Sequence, residues 1–236
     1  MLRSVEIVVP CYNPNETWHL ELLDFNNEVK NNYQLNFIIV NDGSGANSIS
    51  EKLKFLADEG ISINYISYSK NMGKGFALRQ GVLASKGEFV VYTDIDFPFT
   101  NKSVKDLLDL LVSSGYSVVS GYRNQDYYQK TMSVYRKLLS KTFRFFIENI
   151  LKMSVTDTQC GLKGFNSVGK RKFLETSINR YLFDFEFIYT SEKDPTIFLK
   201  TLRVQLKDGI VFSQMKPRIL FQEIFNLLYI LLFKRI

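Results

Sequence analysis

Histidine, cysteine and tryptophan are scarce in this chain, which has one histidine, two cysteines and one tryptophan among 236 residues. Cys11 and Cys160 lie far apart and form no metal-binding pair, so we expect two reduced thiols in a cytoplasmic protein. The single histidine, His19, falls in a region predicted to be a surface helix, and we assign it no role. A metal centre built from cysteine is therefore not expected.

Long apolar runs and linkers are also absent. No stretch of 18 apolar residues occurs, so the sequence predicts no transmembrane helix. Met1 leads directly into a predicted strand, and we therefore expect no signal peptide. Without an internal repeat or a low-complexity linker, the length suits one large α/β domain. We expect a catalytic domain over residues 1–212 and an amphipathic, membrane-associating segment over 213–236.

The net charge of +6 is distributed unevenly. Residues 130–152 hold six Lys or Arg against one acid, and residues 213–236 hold four against one. Both segments are also strongly apolar, which favours a membrane surface over a nucleic acid as the partner. We expect a peripheral protein on the inner face of the cell membrane.

Short apolar runs alternate with helical spacing through the first half of the chain. The predicted strands are 5–10, 37–40, 61–68 and 88–93, and the predicted helices are about 16–30, 49–57 and 75–85; a further strand is predicted at 118–121. Continuous apolar strands that alternate with helices are typical of an α/β fold with a mostly parallel central sheet flanked by helices.

Two later segments are amphipathic. Residues 134–153 predict one long helix, whose apolar and charged residues each recur every three or four positions. This helix either packs on the core as an ordinary surface helix or lies in a membrane interface. Residues 219–233 are apolar, too short to span a membrane, and followed by Lys234 and Arg235. We expect them to form a second in-plane helix.

Two aspartates one residue apart, Asp94 and Asp96, follow the apolar strand at 88–93. Carboxylates at the carboxyl end of a parallel strand lie where open α/β sheets bind ligands. Two neighbouring carboxylates repel each other unless a cation lies between them, and Mg²⁺ in such sites is usually shared with substrate phosphates. The pair therefore predicts a metal-bound nucleotide diphosphate; solvated loop aspartates are the alternative.

Three other loops fall at the same predicted edge. Pro10, Cys11, Tyr12 and Asn13 follow the first strand, and Asp42 follows the second, where backbone groups and a carboxylate can grip a nucleobase. Residues 71–75 (NMGKG) form a Gly-rich turn that opens a helix, and its lysine suits a diphosphate. The turn matches neither a Walker A motif nor a full dinucleotide-binding motif. An ordinary turn is the alternative.

In chain order, VVPCYN, VNDGS, NMGKGFA and TDID resemble the motifs of the family 2 glycosyltransferases with the GT-A fold, over roughly residues 4–190. Residues 157–163 (DTQCGLK) and 183–186 (FDFE) are similar to blocks of dolichyl-phosphate glucosyltransferases. Residues 136–140 (RKLLS) are similar to the acceptor-phosphate segment of dolichol-phosphate mannose synthases. Asn41 departs from the family pattern, which more often has aspartate there.

The resemblance implies a role for each matched position. Those on the nucleotide-sugar side are Pro10, Tyr12, Asn13, Asp42, Asn71, Lys74, Asp94 and Asp96. Asp94 and Asp96 would bind Mg²⁺ or Mn²⁺, whereas Arg123, Arg136 and Ser140 would grip a lipid phosphate. The implied catalytic set is Asp94, Asp96, Asp157, Gln159 and Asp184.

The resemblance implies an inverting enzyme that moves a hexose, with glucose favoured, from a UDP-sugar to a polyprenyl phosphate. Such an acceptor is already anionic and does not need a strong base. The alternative acceptor is a hydroxyl of a lipid-linked, capsular or cell-wall glycan, as in polysaccharide biosynthesis. It would need a carboxylate base, for which Asp157, Asp184 and Glu186 are the candidates.

The sequence gives less support to two functions from other classes of protein. Asp94 and Asp96 argue against a non-catalytic membrane module, and the first loop lacks the glycines of a nucleotidyltransferase. No nucleic acid is expected. The sequence leaves open the sugar, the base, the metal and whether the protein is a homo-oligomer.

Overall fold

The computed structural model describes residues 2–45, 47–123, 134–209 and 217–234, without the side chains of 47–48, 134–137, 139 and 217–221. Its strands are β1 (Arg3–Cys11), β2 (Tyr33–Asp42), β3 (Ile63–Tyr68), β4 (Phe89–Tyr92), β5 (Val118–Arg123), β6 (Lys163–Phe165) and β7 (Leu199–Val204). They form one sheet in the order β3-β2-β1-β4-β6-β5-β7. Only β6 among these described strands runs antiparallel to its neighbours, β4 and β5.

The helices flank this sheet. They are α1 (Trp18–Val29), α2 (Asn47–Asp58), α3 (Lys74–Ala84), α4 (Asn101–Ser113), α5 (Val134–Phe145), α6 (Ser167–Leu174), α7 (Phe183–Lys193) and α8 (Pro217–Phe233). The α/β class and the mostly parallel sheet predicted from the sequence are confirmed. The prediction of one α-helix over 134–153 is wrong, because α5 ends at Phe145 and a π-helical turn, Phe146–Ile150, follows it.

Side-chain alternation along the strands divides the core into two layers. Val5, Ile7 and Val9 of β1 face the layer under α1 and α4, whereas Val8 faces the layer under α3, α6 and α7. This is the two-residue period of a strand that is buried on both faces. The second layer also receives Ile230 of α8, which is fully buried. The predicted domain boundary at residue 212 lies outside the described residues.

Several strand ends lie together at one edge of the sheet. The parallel strands β1, β2, β4 and β5 end there, and the antiparallel β6 begins there. The register places Tyr92, at the end of β4, opposite Lys163, at the start of β6. The loops after β1, β2 and β4 therefore lie at the same edge as the loop before β6.

Candidate active site

Lys74 and Asp94 form an ion pair at this edge. The Lys74 Nζ lies 2.5 Å from Asp94 Oδ1, and both side chains are about one-third exposed, at 34% and 36%. Burial alone would lower the pKa of Lys74, but the carboxylates of Asp94, Asp184 and Asp96 raise it. The sequence-predicted lysine and aspartate are therefore brought together.

Asp94 and Asp96 fit a divalent cation. Burial, and then the charge of Asp94, raise the pKa of Asp96, so a second negative charge is unfavourable there. A cation would remove this penalty. No cluster of three or more His, Cys, Asp or Glu suited to a metal occurs within the described ranges. Mg²⁺ usually takes further ligands from substrate phosphates and water.

Gly161 lies against Asp94 and Lys74 and was not assigned a role from the sequence. A Cβ atom at Gly161 would lie 2.5 Å from Asp94 Oδ2 and 3.5 Å from Lys74 Nζ. The first distance is far shorter than a van der Waals contact, so a side chain here would displace the Asp94 carboxylate. The loop before β6 therefore approaches Asp94 closely because residue 161 is glycine.

A buried trio of side chains holds that loop in place. Asp184 Oδ1 accepts hydrogen bonds from Tyr92 Oη at 2.5 Å and from Lys163 Nζ at 2.7 Å. The Lys163 Nζ also donates to the Cys160 carbonyl at 2.6 Å, and all three side chains of the trio are buried. The structure thus places Asp184, predicted to be catalytic, in a buried position behind the loop.

Asp42 and Asn71 organise the turn that leads to Lys74. Asp42 Oδ1 accepts from the Met72 N–H at 2.7 Å, and its Oδ2 accepts from the Gly73 N–H at 2.9 Å and from Asn71 Nδ2 at 3.0 Å. Gly73 has φ = +105°, which favours glycine. The carboxylate of Asp42 therefore fixes the turn that leads to Lys74.

The first two loops are joined directly. The Asn13 N–H donates to Ser44 Oγ at 2.8 Å, and the adjacent Tyr12 is 52% exposed. The hydrogen bonds of Asn41 account for its departure from the family pattern. Its Nδ2 donates to the Ser44 carbonyl and to Tyr65 Oη, which an aspartate could not do.

Arg123 and Asp157 form a forked ion pair beside the same loop. Arg123 Nε and Nη2 donate to the two carboxylate oxygens of Asp157 at 3.0 and 2.7 Å, and Nη2 also donates to the Gln159 carbonyl at 3.1 Å. Burial would raise the pKa of Asp157, but Arg123 and Arg144 lower it. Of the other predicted acceptor residues, Ser140 is half-buried on α5, and the side chain of Arg136 lies outside the description.

Glu186 lies apart from the acidic pair. It is fully buried and accepts hydrogen bonds from the backbone N–H groups of Ser177 and Ile178, at 2.8–3.0 Å, and from the Ser177 hydroxyl. The same loop supplies the Asn179 carbonyl, which accepts from the Gly75 N–H at 2.8 Å. Glu186 therefore holds a loop that supports the start of α3.

The family model for glycosyl transferase family 2 matches residues 6–175. The chain belongs to this family. The match covers Lys74, Asp94, Asp96, Arg123 and Asp157, whereas Asp184 and Glu186 follow it.

Curated relatives of this chain include dolichyl-phosphate β-glucosyltransferases. The chain is 28% identical over 204 residues to the dolichyl-phosphate β-glucosyltransferase of Drosophila melanogaster, covering 80% of this chain and 63% of the relative. It is 27% identical over 205 residues to the human dolichyl-phosphate β-glucosyltransferase, with the same coverage. The chain therefore spans less than two thirds of the length of these relatives.

Solved structures confirm the GT-A fold. Glucosyl-3-phosphoglycerate synthase from Mycobacterium tuberculosis, in complex with Mn²⁺, UDP and phosphoglyceric acid, is 16% identical, with a TM-score of 0.63 over 98% of this chain and 78% of its own. Mannosyl-3-phosphoglycerate synthase from Rubrobacter xylanophilus is 15% identical, with a TM-score of 0.66 over 97% of this chain and 72% of its own. At these identities the likeness concerns the fold alone.

Proposed function

We propose that this family 2 protein is an inverting glycosyltransferase that moves a hexose, with glucose favoured, from a UDP-sugar to a polyprenyl phosphate. The observation that carries this proposal is that Lys74, Asp94 and Asp96 lie at the same edge of the sheet as the Arg123–Asp157 ion pair. The names of the curated relatives support the acceptor, and a UDP complex of a protein with the same fold supports the donor.

The donor side stabilises the charge that develops on the departing diphosphate. Asp94 and Asp96 would hold Mg²⁺ or Mn²⁺, which would neutralise diphosphate charge as the bond to the sugar breaks. Lys74 adds a positive charge at the same place, and the Asp42-bound turn fixes where its helix begins. Tyr12, which is exposed, would lie beside the base.

The state of the carboxylates favours a phosphate acceptor over a sugar hydroxyl. A hydroxyl acceptor needs a base with a pKa near the working pH. The arginines hold the pKa of Asp157 below its ordinary value. Asp184 and Glu186 are buried, and one oxygen of Asp184 and both oxygens of Glu186 accept hydrogen bonds. A phosphate monoester brings its own nucleophilic oxygen and needs a positive charge to orient it, which Arg123 would provide.

The C-terminal helix provides the membrane contact in this proposal. None of the described helices is long and apolar enough to cross a bilayer. However, α8 exposes large apolar side chains while Ile230 on its other face is buried; those exposed are Ile224, Phe225, Leu228, Tyr229, Leu232 and Phe233. We propose that α8 lies in the plane of the inner face of the membrane, where a polyprenyl chain resides.

The test is a screen of nucleotide sugars with two acceptors, a short polyprenyl phosphate and an alkyl glycoside, read by mass spectrometry of the product. We expect hexosyl transfer from UDP-glucose to the phosphate, abolished by EDTA and restored by Mg²⁺ or Mn²⁺. Asp94→Ala should lower the rate roughly 10²-fold or more, whereas Asp106→Ala, on the surface of α4, should not. Full activity in EDTA would contradict the metal assignment, and preference for the glycoside would favour a hydroxyl acceptor.

A further inference from the structure

Two arginines from different elements converge on one carboxylate. Arg123 ends β5, and Arg144 lies in the last turn of α5. Arg123 Nη2 lies 2.7 Å from Asp157 Oδ1, and Arg144 Nη2 lies 3.6 Å from the same oxygen. The side chains are largely buried, at 12% exposure for Arg123, 18% for Arg144 and 6% for Asp157.

These three side chains carry two positive charges and one negative charge. Asp157 uses both carboxylate oxygens to orient the Arg123 guanidinium, and the 3.6 Å separation makes the contact with Arg144 a looser one. Partly buried cations are stabilised when an anion approaches them. A guanidinium fork matches the oxygens of a phosphate group, which carries a charge of about −1.5 to −2 as a monoester at pH 7.

The pair also lies where a second substrate must approach the donor. Arg123 donates to the carbonyl of Gln159, and Gly161, two residues along the loop, lies against Asp94. Two residues span at most about 7 Å of chain. On α5, Ser140 precedes Arg144 by four residues, so both lie on the same face of the helix.

We propose that Arg144 is a further binding residue for the acceptor phosphate, acting with Arg123 while Asp157 orients both guanidinium groups. This inference rests on the proposed function and assigns a position that neither the family motifs nor the sequence patterns indicated. The chemistry recognised is a terminal phosphate, whether on a lipid or free in solution.

The experiment compares Arg144→Gln and Arg144→Lys with Lys141→Gln, which removes one positive charge from an exposed position on the same helix. The KM for short-chain polyprenyl phosphate is measured at saturating UDP-glucose, UDP affinity is measured by calorimetry, and the melting temperature reports folding. We expect Arg144→Gln to raise the KM for the lipid roughly 10- to 100-fold, as for loss of a charged hydrogen bond. UDP affinity and melting temperature should change little, and Lys141→Gln should resemble the wild type.

Two further measurements distinguish a lipid phosphate from free phosphate, and loss of charge from loss of the guanidinium geometry. Inorganic phosphate should compete with the lipid in the wild type and less in Arg144→Gln; absence of competition would assign recognition to the lipid phosphate alone. Arg144→Lys should fall between wild type and Arg144→Gln, because lysine keeps the charge but not the fork. An unchanged lipid KM in Arg144→Gln, or an equal loss of UDP affinity and melting temperature, would overturn the assignment. A wild type that does not use polyprenyl phosphate would overturn the proposed function as well.

Discussion

Gly161 determines, at the scale of single residues, how closely the loop before β6 approaches Asp94. A Cβ at this position would overlap the carboxylate, and no unusual backbone angle is involved. A substitution here should therefore act through the position of Asp94 and not through backbone strain. This separates an effect on the site from an effect on folding.

Gly161→Ala should lower the transfer rate at least about 10-fold and weaken metal activation, since Asp94 would have to move away from the metal position. Activity titrated with Mn²⁺ measures both effects, and the melting temperature should change little. Gly115→Ala is the matched control, because a Cβ there meets nothing within 4 Å. Normal metal activation in Gly161→Ala would show that Asp94 does not need its present position.

Asp96 should destabilise the protein when no metal is bound. Its pKa is raised, so the stability linked to its proton is present at low pH and is lost as the pH rises through that pKa. Asp96→Asn should therefore raise the melting temperature in EDTA at pH 7, by an amount that shrinks in acid. It should also lose the further rise on adding Mn²⁺. Thermal scans of this variant beside Asp58→Asn, an exposed control, test both effects.

Local motifs revealed one part of the candidate site, and long-range contacts form the rest. Lys74, Asp94 and Asp96 belong to short patterns next to predicted strands, which made them visible in the sequence. Gly161 touches Asp94 across 67 positions of the chain, and no local pattern encodes such a contact. For the same reason, the sequence could not show that Asp184 is covered by Tyr92 and Lys163.

At the scale of elements, α8 and the residue after it form hydrogen bonds to both ends of the loop formed by residues 175–182. Its Glu223 accepts from the Leu182 N–H at 2.9 Å, and Lys234 directly after it donates to the Glu175 carbonyl at 3.0 Å. Lys234 Nζ also lies 3.2 Å from Glu186 Oε1. The helix proposed to contact the membrane is thus connected, through this loop, to the start of α3.

Glu186→Gln should destabilise the protein by about 1.5–3 kcal/mol, because charged hydrogen bonds to two backbone N–H groups would be weakened in a buried place. The free energy of unfolding in urea measures this cost. Glu175→Gln, with a side chain 66% exposed on the same loop, should cost little. A changed pH profile of the transfer rate in a stable Glu186→Gln protein would instead favour a role as a base.

Phe225→Asp and Leu232→Asp, alone and together, should reduce binding to anionic vesicles, because both side chains are more than half exposed on α8. Each change places a charge in the apolar face that would enter the interface. Flotation at low and high salt measures binding, and Leu83→Asp, which is 65% exposed on α3, is the control. Equal flotation of all variants would exclude α8 as the contact.

Periodicity predicted the existence of α5 but not its end. Spacings of three and four continue through residue 150, yet the chain adopts a wider turn after Phe145, and Ile147 becomes the buried residue. A π-helical turn shifts the faces of a helix without changing the order of its apolar residues. The strand β6 was also missed, since Lys-Gly-Phe is too short and too polar to indicate a strand.

At the scale of the whole molecule, the chain forms the sheet in two parts. Strands β1 to β4 come from residues before 93 and carry the proposed donor side, whereas β5, β6 and β7 follow residue 117 and carry the proposed acceptor side. The antiparallel β6 joins them by pairing with both β4 and β5. The parallel part, with its alternating strands and helices, is the part that the sequence predicted well.

This order has a consequence for how the protein is made. Until β6 emerges during synthesis, β4 is the open edge of a four-stranded sheet, and all four of its residues are buried in the finished protein. An apolar edge with unpaired backbone groups is a template for another chain. Fragments that stop before Lys163 should therefore aggregate. The intact chain should be most prone to aggregation after its first four strands have been synthesised and before β6 pairs with β4.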